Sequence, residues 1–494
     1  MKHPWVFDRE PHRLAAKAAL RTMNKADHEL SGVWARPQRS LTLGLLLTIS
    51  ATAFEALAVA TVLPATVTDL GGLSFYGWVF SGFMLCNLVS IAVSGRLADH
   101  SGIARPFVGG SALFVTGLII AGIAPSMAIV VVGRMAQGLG AGAISCVSYM
   151  AVARGYPASA QPRMLALLSS AWVVPGLIGP ALAGAVADYL NWRWVFLGLA
   201  PLTAVAASVA LVGLRRLAPQ DGAPPNSGRI GFAIRLAIGT ALVLIGAEAH
   251  SIGLTTLCVV VGVPIGFPAL RGLLPAGTLR AASGTPAAIA SVGLLNFCFF
   301  GTEAFVPLLL TGVRGQPATV AGLALTAATL AWTAGAWLQA RLSLRGDRRR
   351  LSRAGLMLTA LGITGTASAL RAEVPVWIVA AAWGTAGLGI GLAFSTLTLI
   401  VLERATKGQE GAAATALQLA NVLGVALGTG VGGAMLGILT AAGQSRAFAI
   451  ASIDAIMVGV AALALAATRR LPARPPESPP QTAPLPATAP VHRV

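Results

Sequence analysis

Long apolar stretches alternate with short polar segments along almost the whole chain. The first stretch runs from Leu41 to Leu63 and contains one charged residue, Glu55. A helix of about 20 apolar residues spans the hydrocarbon core of a bilayer and satisfies its backbone hydrogen bonds internally. The pattern therefore predicts an all-α polytopic membrane protein with about 14 transmembrane helices, at approximately 41–63, 77–97, 107–124, 127–153, 164–187, 194–213, 231–248, 252–270, 286–311, 318–341, 353–370, 376–402, 411–440 and 446–468.

Composition supports the same class of protein. The charged fraction is 11%, far below the roughly 25% of a soluble domain. A net charge of +18 would indicate nucleic-acid binding in a soluble protein, but here the basic residues lie between the apolar stretches, so we expect no nucleic-acid partner. The four cysteines lie inside apolar stretches, and their spacing predicts neither a metal site nor a disulfide framework.

Arginine and lysine concentrate in alternate connecting segments. The amino-terminal tail carries eight of them between Lys2 and Arg39, and the segment after the tenth stretch carries a cluster from Arg345 to Arg353. Segments on the opposite side hold single basic residues such as Arg193. Because basic loops stay cytoplasmic, we expect a multi-pass protein of the cytoplasmic (inner) membrane with both termini in the cytoplasm.

A weak internal repeat relates the two halves of the sequence. The glycines of Gly138–Gly142 recur 249 residues later at Gly387–Gly391. Chance matches are an alternative in a chain with 57 glycines, but their order favours a parallel repeat of six-helix bundles, a known transporter plan. The predicted organisation is a basic cytoplasmic tail at 1–40, six-helix bundles at 41–213 and 286–468, a linker with two extra central transmembrane helices at 214–285, and a disordered proline-rich cytoplasmic tail at 469–494.

Four ionisable residues lie well inside the predicted membrane helices: Glu55, Arg134, Glu303 and Asp454. Such residues are costly in lipid and are candidates for function by default. We therefore predict that these four take part in proton coupling. Two alternatives stay open: Arg134 could extend its side chain to the membrane interface, and Asp454 could pair with a neighbouring helix.

Two further segments carry glycine, proline and charge at defined spacings. The segment after the second stretch contains Gly95, Asp99, Gly102 and Arg105; Gly102 permits a tight turn, and Asp99 can meet a helix N-terminus or an arginine in one conformational state only. The fifth stretch contains a small, kinked face that allows close helix packing, formed by Gly176, Gly179, Pro180 and Gly184. We assign these eight residues to conformational gating. Alternatives are an ordinary basic loop and glycine packing without directional meaning.

These motifs resemble the signatures of the major facilitator superfamily. The Gly95–Arg105 segment is similar to its cytoplasmic loop motif, departing at Ile103, where a basic residue is more common. The fourth stretch, with Arg134 and Gly138, is similar to the motif linked to proton coupling. The fifth stretch is similar to the antiporter motif, with Ala183 replacing a glycine. Glu55 ahead of Leu63-Pro64 resembles the acidic residue of fourteen-helix drug:proton antiporters, which is more often aspartate.

The resemblance implies proton-driven efflux of lipophilic drugs or toxic small molecules by alternating access. The expected partners are a lipophilic substrate, protons and membrane lipid, with no cofactor beyond the proton gradient, and the chain is expected to act as a monomer and not as an enzyme. We expect the substrate cavity to include Glu55, Asn87, Gln137, Asn296 and Glu303. Alternatives are export of an endogenous lipid, siderophore or secondary metabolite by the same fold, and a membrane enzyme or receptor that does not transport.

Overall fold

The computed structural model describes residues 33–35, 38–157, 160–217, 227–248, 252–342, 347–371, 373–404 and 410–472. All regular secondary structure in these ranges is helical, and none of it is strand. The predictions for the tails at 1–40 and 469–494 concern residues that lie mostly outside these ranges. The same holds for part of the linker, 218–226.

The helices are numbered in chain order. The first half contains α1 (Arg39–Leu70), α2 (Tyr76–Ser101), α3 (Ala104–Gly122), α4 (Met127–Gly155), α5 (Gln161–Ser170), α6 (Val173–Tyr189) and α7 (Arg193–Leu214). A hairpin follows, with α8 (Ser227–Glu248) and α9 (Ile252–Leu273). The second half contains α10 (Thr285–Glu303), α11 (Val306–Leu308), α12 (Ala318–Leu342), α13 (Arg348–Thr366), α14 (Val376–Glu403), α15 (Glu410–Ala441) and α16 (Arg446–Ala467).

Thirteen helical segments among the described residues are long and apolar enough to cross a membrane. The remaining predicted stretch, 353–370, is also helical, but α13 begins at Arg348 and a 3-10 turn at Ala367–Leu370 follows it. It begins early because Asp347 caps it, accepting a hydrogen bond from the backbone N–H of Arg349 at 2.8 Å. The prediction of an all-α polytopic fold is confirmed.

Two helices differ from the predicted stretches. α1 continues through Pro64 to Leu70, although the Leu-Pro pair suggested an end near Leu63. The fifth stretch is not one continuous helix, because α5 ends at Ser170 and α6 begins at Val173. At this break the Ser50 hydroxyl of α1 donates a hydrogen bond to the backbone oxygen of Ala171 at 2.9 Å. The bond satisfies a carbonyl that the helix end would otherwise leave unpaired.

The two ends of the bundle can be named from the first helix. The end at which α1 begins is the Arg39 face, and the end at which α1 ends is the Leu70 face. Short connections join successive spanning segments, so these segments alternate in direction between the two faces.

The same packing pattern occurs in both halves. In the first half α4 packs on α2 and α3, and α1 packs on α6 and α7. In the second half α14 packs on α12 and α13, and α10 packs on α15 and α16. Between the halves, α6 packs on α12 and α2 packs on α15. Helices in corresponding positions of the sequence therefore have corresponding neighbours.

Glycines provide the closest contacts in this pattern. A methyl group on Gly138 of α4 would collide with the backbone oxygen of Phe83 on α2. One on Gly387 of α14 would collide in the same way with the backbone oxygen of Ala328 on α12. The helices can approach so closely only because these positions lack a Cβ atom.

Replacing Gly138 with valine should destabilise the protein, because the new side chain must push α4 away from α2. Overpacking of this kind costs about 1–3 kcal/mol, and more where a backbone atom is the obstacle. The matched control is Gly109→Val in α3, where a Cβ atom meets nothing within 4 Å. Thermal unfolding in detergent micelles measures the difference. Equal melting temperatures for the two variants would contradict the assigned packing.

Candidate substrate and proton site

Glu55 and Arg134 form an ion pair between α1 and α4. Both side chains are almost fully buried, with 1% and 3% of their surface exposed. A buried arginine needs compensation, because the guanidinium stays charged in proteins. The pairing brings together two of the four ionisable residues that the sequence places well inside membrane helices.

Further contacts hold the Arg134 side chain in place. Its Nε donates a hydrogen bond to the backbone oxygen of Val79 at 3.1 Å, and Nη1 donates to Gln137 Oε1. The guanidinium lies over the ring of Phe83, with Cζ 4.2 Å from the ring centroid, a favourable cation–π arrangement. These contacts orient Arg134 inward, so its side chain does not extend to the interface.

A cavity of about 260 Å³ lies between the two halves, beside this ion pair. Its wall is mostly apolar and aromatic and includes Phe80, Phe83, Met84, Trp172, Phe300 and Val425. The polar groups on the wall are Thr52, Asn87, Arg134, Ser145, Glu303, Gln418, Asn421 and Thr429. A concave, mainly apolar surface with a few polar groups is typical of a small-molecule site.

Glu303 lies at the end of α10 and contributes a carboxylate to this wall. Only 8% of the residue is exposed. Its Oε2 atom has no hydrogen-bond partner, and no cation pairs with the carboxylate among the residues that the structure describes. Glu303 is therefore an acidic group available to the cavity, whereas the carboxylate of Glu55 is engaged by Arg134.

The other predicted cavity residues have different positions. Asn87 lies on the wall and is half-buried. Gln137 and Asn296 are buried and do not belong to the wall: Gln137 supports Arg134, and the Asn296 amide donates to the backbone oxygen of Val292 at 2.8 Å. Glu55 also lies behind the wall, in contact with it through Arg134.

Asp454 lies away from the cavity wall, on α16 of the second half. Only 5% of the residue is exposed, and its Oδ2 atom accepts a hydrogen bond from the Thr366 hydroxyl of α13 at 3.0 Å. The structure therefore places Asp454 in a contact between neighbouring helices and does not bring it together with Glu55 and Arg134.

The segment from Gly95 to Arg105 connects α2 and α3 at the Arg39 face. Gly102 follows α2 with a φ of 79°, a conformation that favours glycine. Gly95 lies near Cys146 of α4, and Arg105 is exposed. The side chain of Asp99 lies outside the described part of the structure, so its predicted contact with a helix N-terminus or an arginine stays a prediction.

The small face of α6 lies partly against the second half of the chain. Gly176 approaches Thr329, and the backbone oxygen of Pro180 approaches Gly322. Gly184 approaches the backbone of Ala318 and Thr319 at the start of α12, with no room for a Cβ atom. Gly179 instead faces Phe54 of α1. The motif thus forms part of a close contact between the halves, on the side of the Leu70 face.

Sequence reasoning missed an acidic residue at the same contact. Asp188 of α6 caps the N-terminus of α12: Oδ1 accepts from the Ala318 backbone N–H at 2.9 Å, and Oδ2 accepts from the Thr319 N–H at 2.7 Å. Oδ2 also accepts from the Thr319 hydroxyl at 2.6 Å. A carboxylate is stabilised at a helix N-terminus, but the two residue groups are 130 positions apart, so no local pattern indicates the pairing.

A family model described as Major Facilitator Superfamily matches residues 43–429 of the chain. A transporter of the same type from Mycobacterium tuberculosis is 28% identical over 396 residues; the match covers 76% of this chain and 56% of that longer protein. A second protein of this bacterium, named "Probable multidrug-efflux transporter", is 28% identical over 400 residues, which cover 76% of this chain and 83% of the relative.

Solved structures show the same architecture. A crystal structure of an autoinhibited peptide transporter of the POT family superposes with a TM-score of 0.65 at 15% sequence identity. The match covers 89% of this chain and 98% of that one. At this identity the likeness concerns the fold alone.

Removing one partner of the buried ion pair should destabilise the protein more than removing both. Glu55→Gln leaves an unpaired buried arginine, and breaking a buried pair in this way costs about 3–5 kcal/mol. The double variant Glu55→Leu/Arg134→Met should recover most of the loss. Unfolding in detergent measures both effects.

The exposed pair of Asp69 and Arg193, with 2.5 Å between Oδ2 and Nη1, provides the control. Loss of an exposed pair costs about 0–1 kcal/mol, so Asp69→Asn should change stability little. If the double variant lost as much stability as the single changes at Glu55 and Arg134 added together, the two charges would not compensate each other.

Proposed function

Because the chain belongs to the Major Facilitator Superfamily, we propose that it exports lipophilic small molecules across the cytoplasmic membrane in exchange for protons. Members of this family are transporters. The observation that carries the proposal is the buried Glu55–Arg134 ion pair directly behind the wall of an apolar cavity. A relative named as a multidrug-efflux transporter supports the direction of transport.

Proton coupling follows from the charge balance of the pair. With Glu55 ionised, the pair is neutral overall. A proton that binds Glu55 removes the negative charge and leaves Arg134 with its positive charge uncompensated at the cavity wall. The state that releases this proton restores the pair. Proton binding and release at Glu55 thereby alternately weaken and strengthen the contact between α1 and α4, which can bias the conformation of the first half.

The cavity chemistry favours a lipophilic substrate. Phe80, Phe83, Phe300 and Trp172 provide aromatic surface, and Glu303 provides a carboxylate that no described cation neutralises. Substrate and proton can therefore compete for the same acidic group. In this proposal Glu303 and Asp454 add to the proton coupling centred on Glu55. In this proposal the transporting unit is a monomer.

Alternating access requires the contacts at the two faces to open in turn. In this structure the halves meet near the Leu70 face through Gly77 and Gly433, and Tyr76 donates a hydrogen bond to the Ala304 backbone oxygen at 2.8 Å. Gln418, a wall residue further toward the Arg39 face, is exposed. With the Arg39 face and both termini in the cytoplasm, this arrangement is ready to accept substrate from the cell.

Glu55→Gln should strongly reduce proton-driven export, because glutamine cannot carry the proton. In proteoliposomes with an imposed pH gradient we expect export of a lipophilic dye to fall by about tenfold or more, which corresponds to ~1.4 kcal/mol or more on the transport barrier. Dye movement and internal pH are recorded together.

Two matched variants locate the effect. Glu303→Gln should weaken dye binding as well as export, and Asp69→Asn at the exposed ion pair should behave as the wild type. Full proton-coupled export by Glu55→Gln would refute the proposed role of this residue.

Asp188→Asn should favour opening at the Leu70 face, because asparagine keeps one of the two acceptor oxygens at the α12 N-terminus. The hydrogen bonds that remain are neutral and about half as strong as charge-assisted ones. Spin labels at Leu190 and Leu323 should show a larger population at long distances. Asp69→Asn, which removes an acid from the same face but from a contact within the first half, is the control. An unchanged distance distribution would exclude Asp188 as a contact that holds this face closed.

A further inference from the structure

The hairpin formed by α8 and α9 lies across one of the two clefts between the halves. α8 packs on both α2 and α15, the two helices that meet at Gly77 and Gly433 near the Leu70 face. Further from the Leu70 face than that contact, α2 and α15 both supply residues to the cavity wall, including Met84 and Val422. The cleft between them would lead from the cavity toward the lipid if nothing covered it.

Apolar side chains of the hairpin fill this cleft along its length. Leu244 of α8 lies against Gly430 of α15. Leu236 of α8 and Ala269 of α9 are buried in one apolar cluster with Leu88 of α2 and with residues of α15. This continuous burial closes the path between the cavity and the bilayer on the α2–α15 side.

The opposite cleft, between the fifth stretch and α12, has a different construction. Near the Leu70 face it is closed by the contacts of Gly176, Pro180 and Gly184 with α12. Further toward the Arg39 face the two sides contact other helices: α5 packs on α1, α4 and α6, while Trp332 and Gly335 of α12 lie against α14.

Trp172 lies where the close contact ends, at the break between α5 and α6. Its side chain belongs to the cavity wall and is also 48% exposed. The next residues, Val173 and Val174, are exposed apolar side chains. The Ser50–Ala171 hydrogen bond holds the break in place. A tryptophan with one side toward a cavity and the other toward apolar surroundings suits an amphipathic passage.

We propose that Trp172 marks a lateral entrance between α5 and α12, through which lipophilic molecules dissolved in the bilayer reach the cavity, and that the α8–α9 hairpin closes the equivalent entrance on the opposite side. The identity of the molecules that enter rests on the proposed export function. The entrance itself is a statement about geometry, and it can be tested without transport.

Spin labels test which medium reaches Trp172. Cys86, Cys146, Cys258 and Cys298 are first replaced by alanine, and a single label is then attached to Trp172→Cys, Leu177→Cys, Gln418→Cys or Leu88→Cys in lipid bilayers. Collisions with oxygen report lipid exposure, and collisions with a water-soluble nickel complex report water exposure. Leu177, exposed on α6, is the lipid control, and Gln418 is the water control.

We expect the label at position 172 to resemble Leu177→Cys, with an oxygen collision rate at least about twofold above its nickel rate relative to Gln418→Cys. The label at position 88, under the hairpin, should be protected from both reagents. If the Leu88 variant does not fold, the collision rates at position 172 can still be compared with those at Leu177 and Gln418, and this comparison decides whether lipid or water reaches Trp172. A label at position 172 that responds to nickel like Gln418→Cys would overturn the proposal.

A transport measurement then tests use of the entrance. A hexyl thiol reagent attached to Trp172→Cys should slow export of the membrane-partitioning dye Hoechst 33342 by about fivefold or more, because the alkyl chain occupies the gap, and dithiothreitol should reverse the block. The same reagent on Leu177→Cys should have no effect. Unchanged export from the modified Trp172→Cys protein would show that the dye takes another path, whereas absence of export in every variant would count against the export function and not against the entrance.

Discussion

The close approach of helix backbones at glycine is the constraint on which the rest of this structure depends. Lipid tails are as apolar as leucine side chains, so helices in a membrane gain little from hydrophobic association and are held by close packing and hydrogen bonds. Gly138 brings α4 against α2, and Gly140 brings the same helix against α3. Only in such a tightly packed bundle can Glu55 and Arg134 face each other with almost no exposed surface.

The two halves share this packing but differ in what they enclose. Trp383 lies on α14 at the position that corresponds, 249 residues on, to Arg134, and it stacks on Phe299 with 4.7 Å between ring centroids. The first half thus encloses a charge pair, whereas the second half encloses aromatic rings at the same level. Charge pairs respond to protons and aromatic rings do not. Of these two features, only the charge pair can take part in the proposed proton coupling, to which the second half would contribute through the carboxylates of Glu303 and Asp454.

Much of the fold was predictable because membrane helices leave a strong signal. Their length and lack of charge identified the spanning stretches, and the 249-residue offset placed glycines that make equivalent contacts. The four intramembrane ionisable residues were also evident, but which of them meet was not. The pairing of Glu55 with Arg134, the separation of Asp454, and the cap that Asp188 forms on α12 all depend on contacts between residues far apart in sequence, which no local periodicity encodes.

The hairpin of α8 and α9 has a mechanical consequence. It touches α2 in one half and α15 in the other, so any rocking of the halves must move at least one of these helices along its surface. The interface is built from leucine, valine and alanine, and apolar contacts are non-directional. Small sliding movements between packed helices are a recognised form of domain shear. The hairpin can therefore slide against α2 and α15 and keep the cleft between them closed while the halves change their angle.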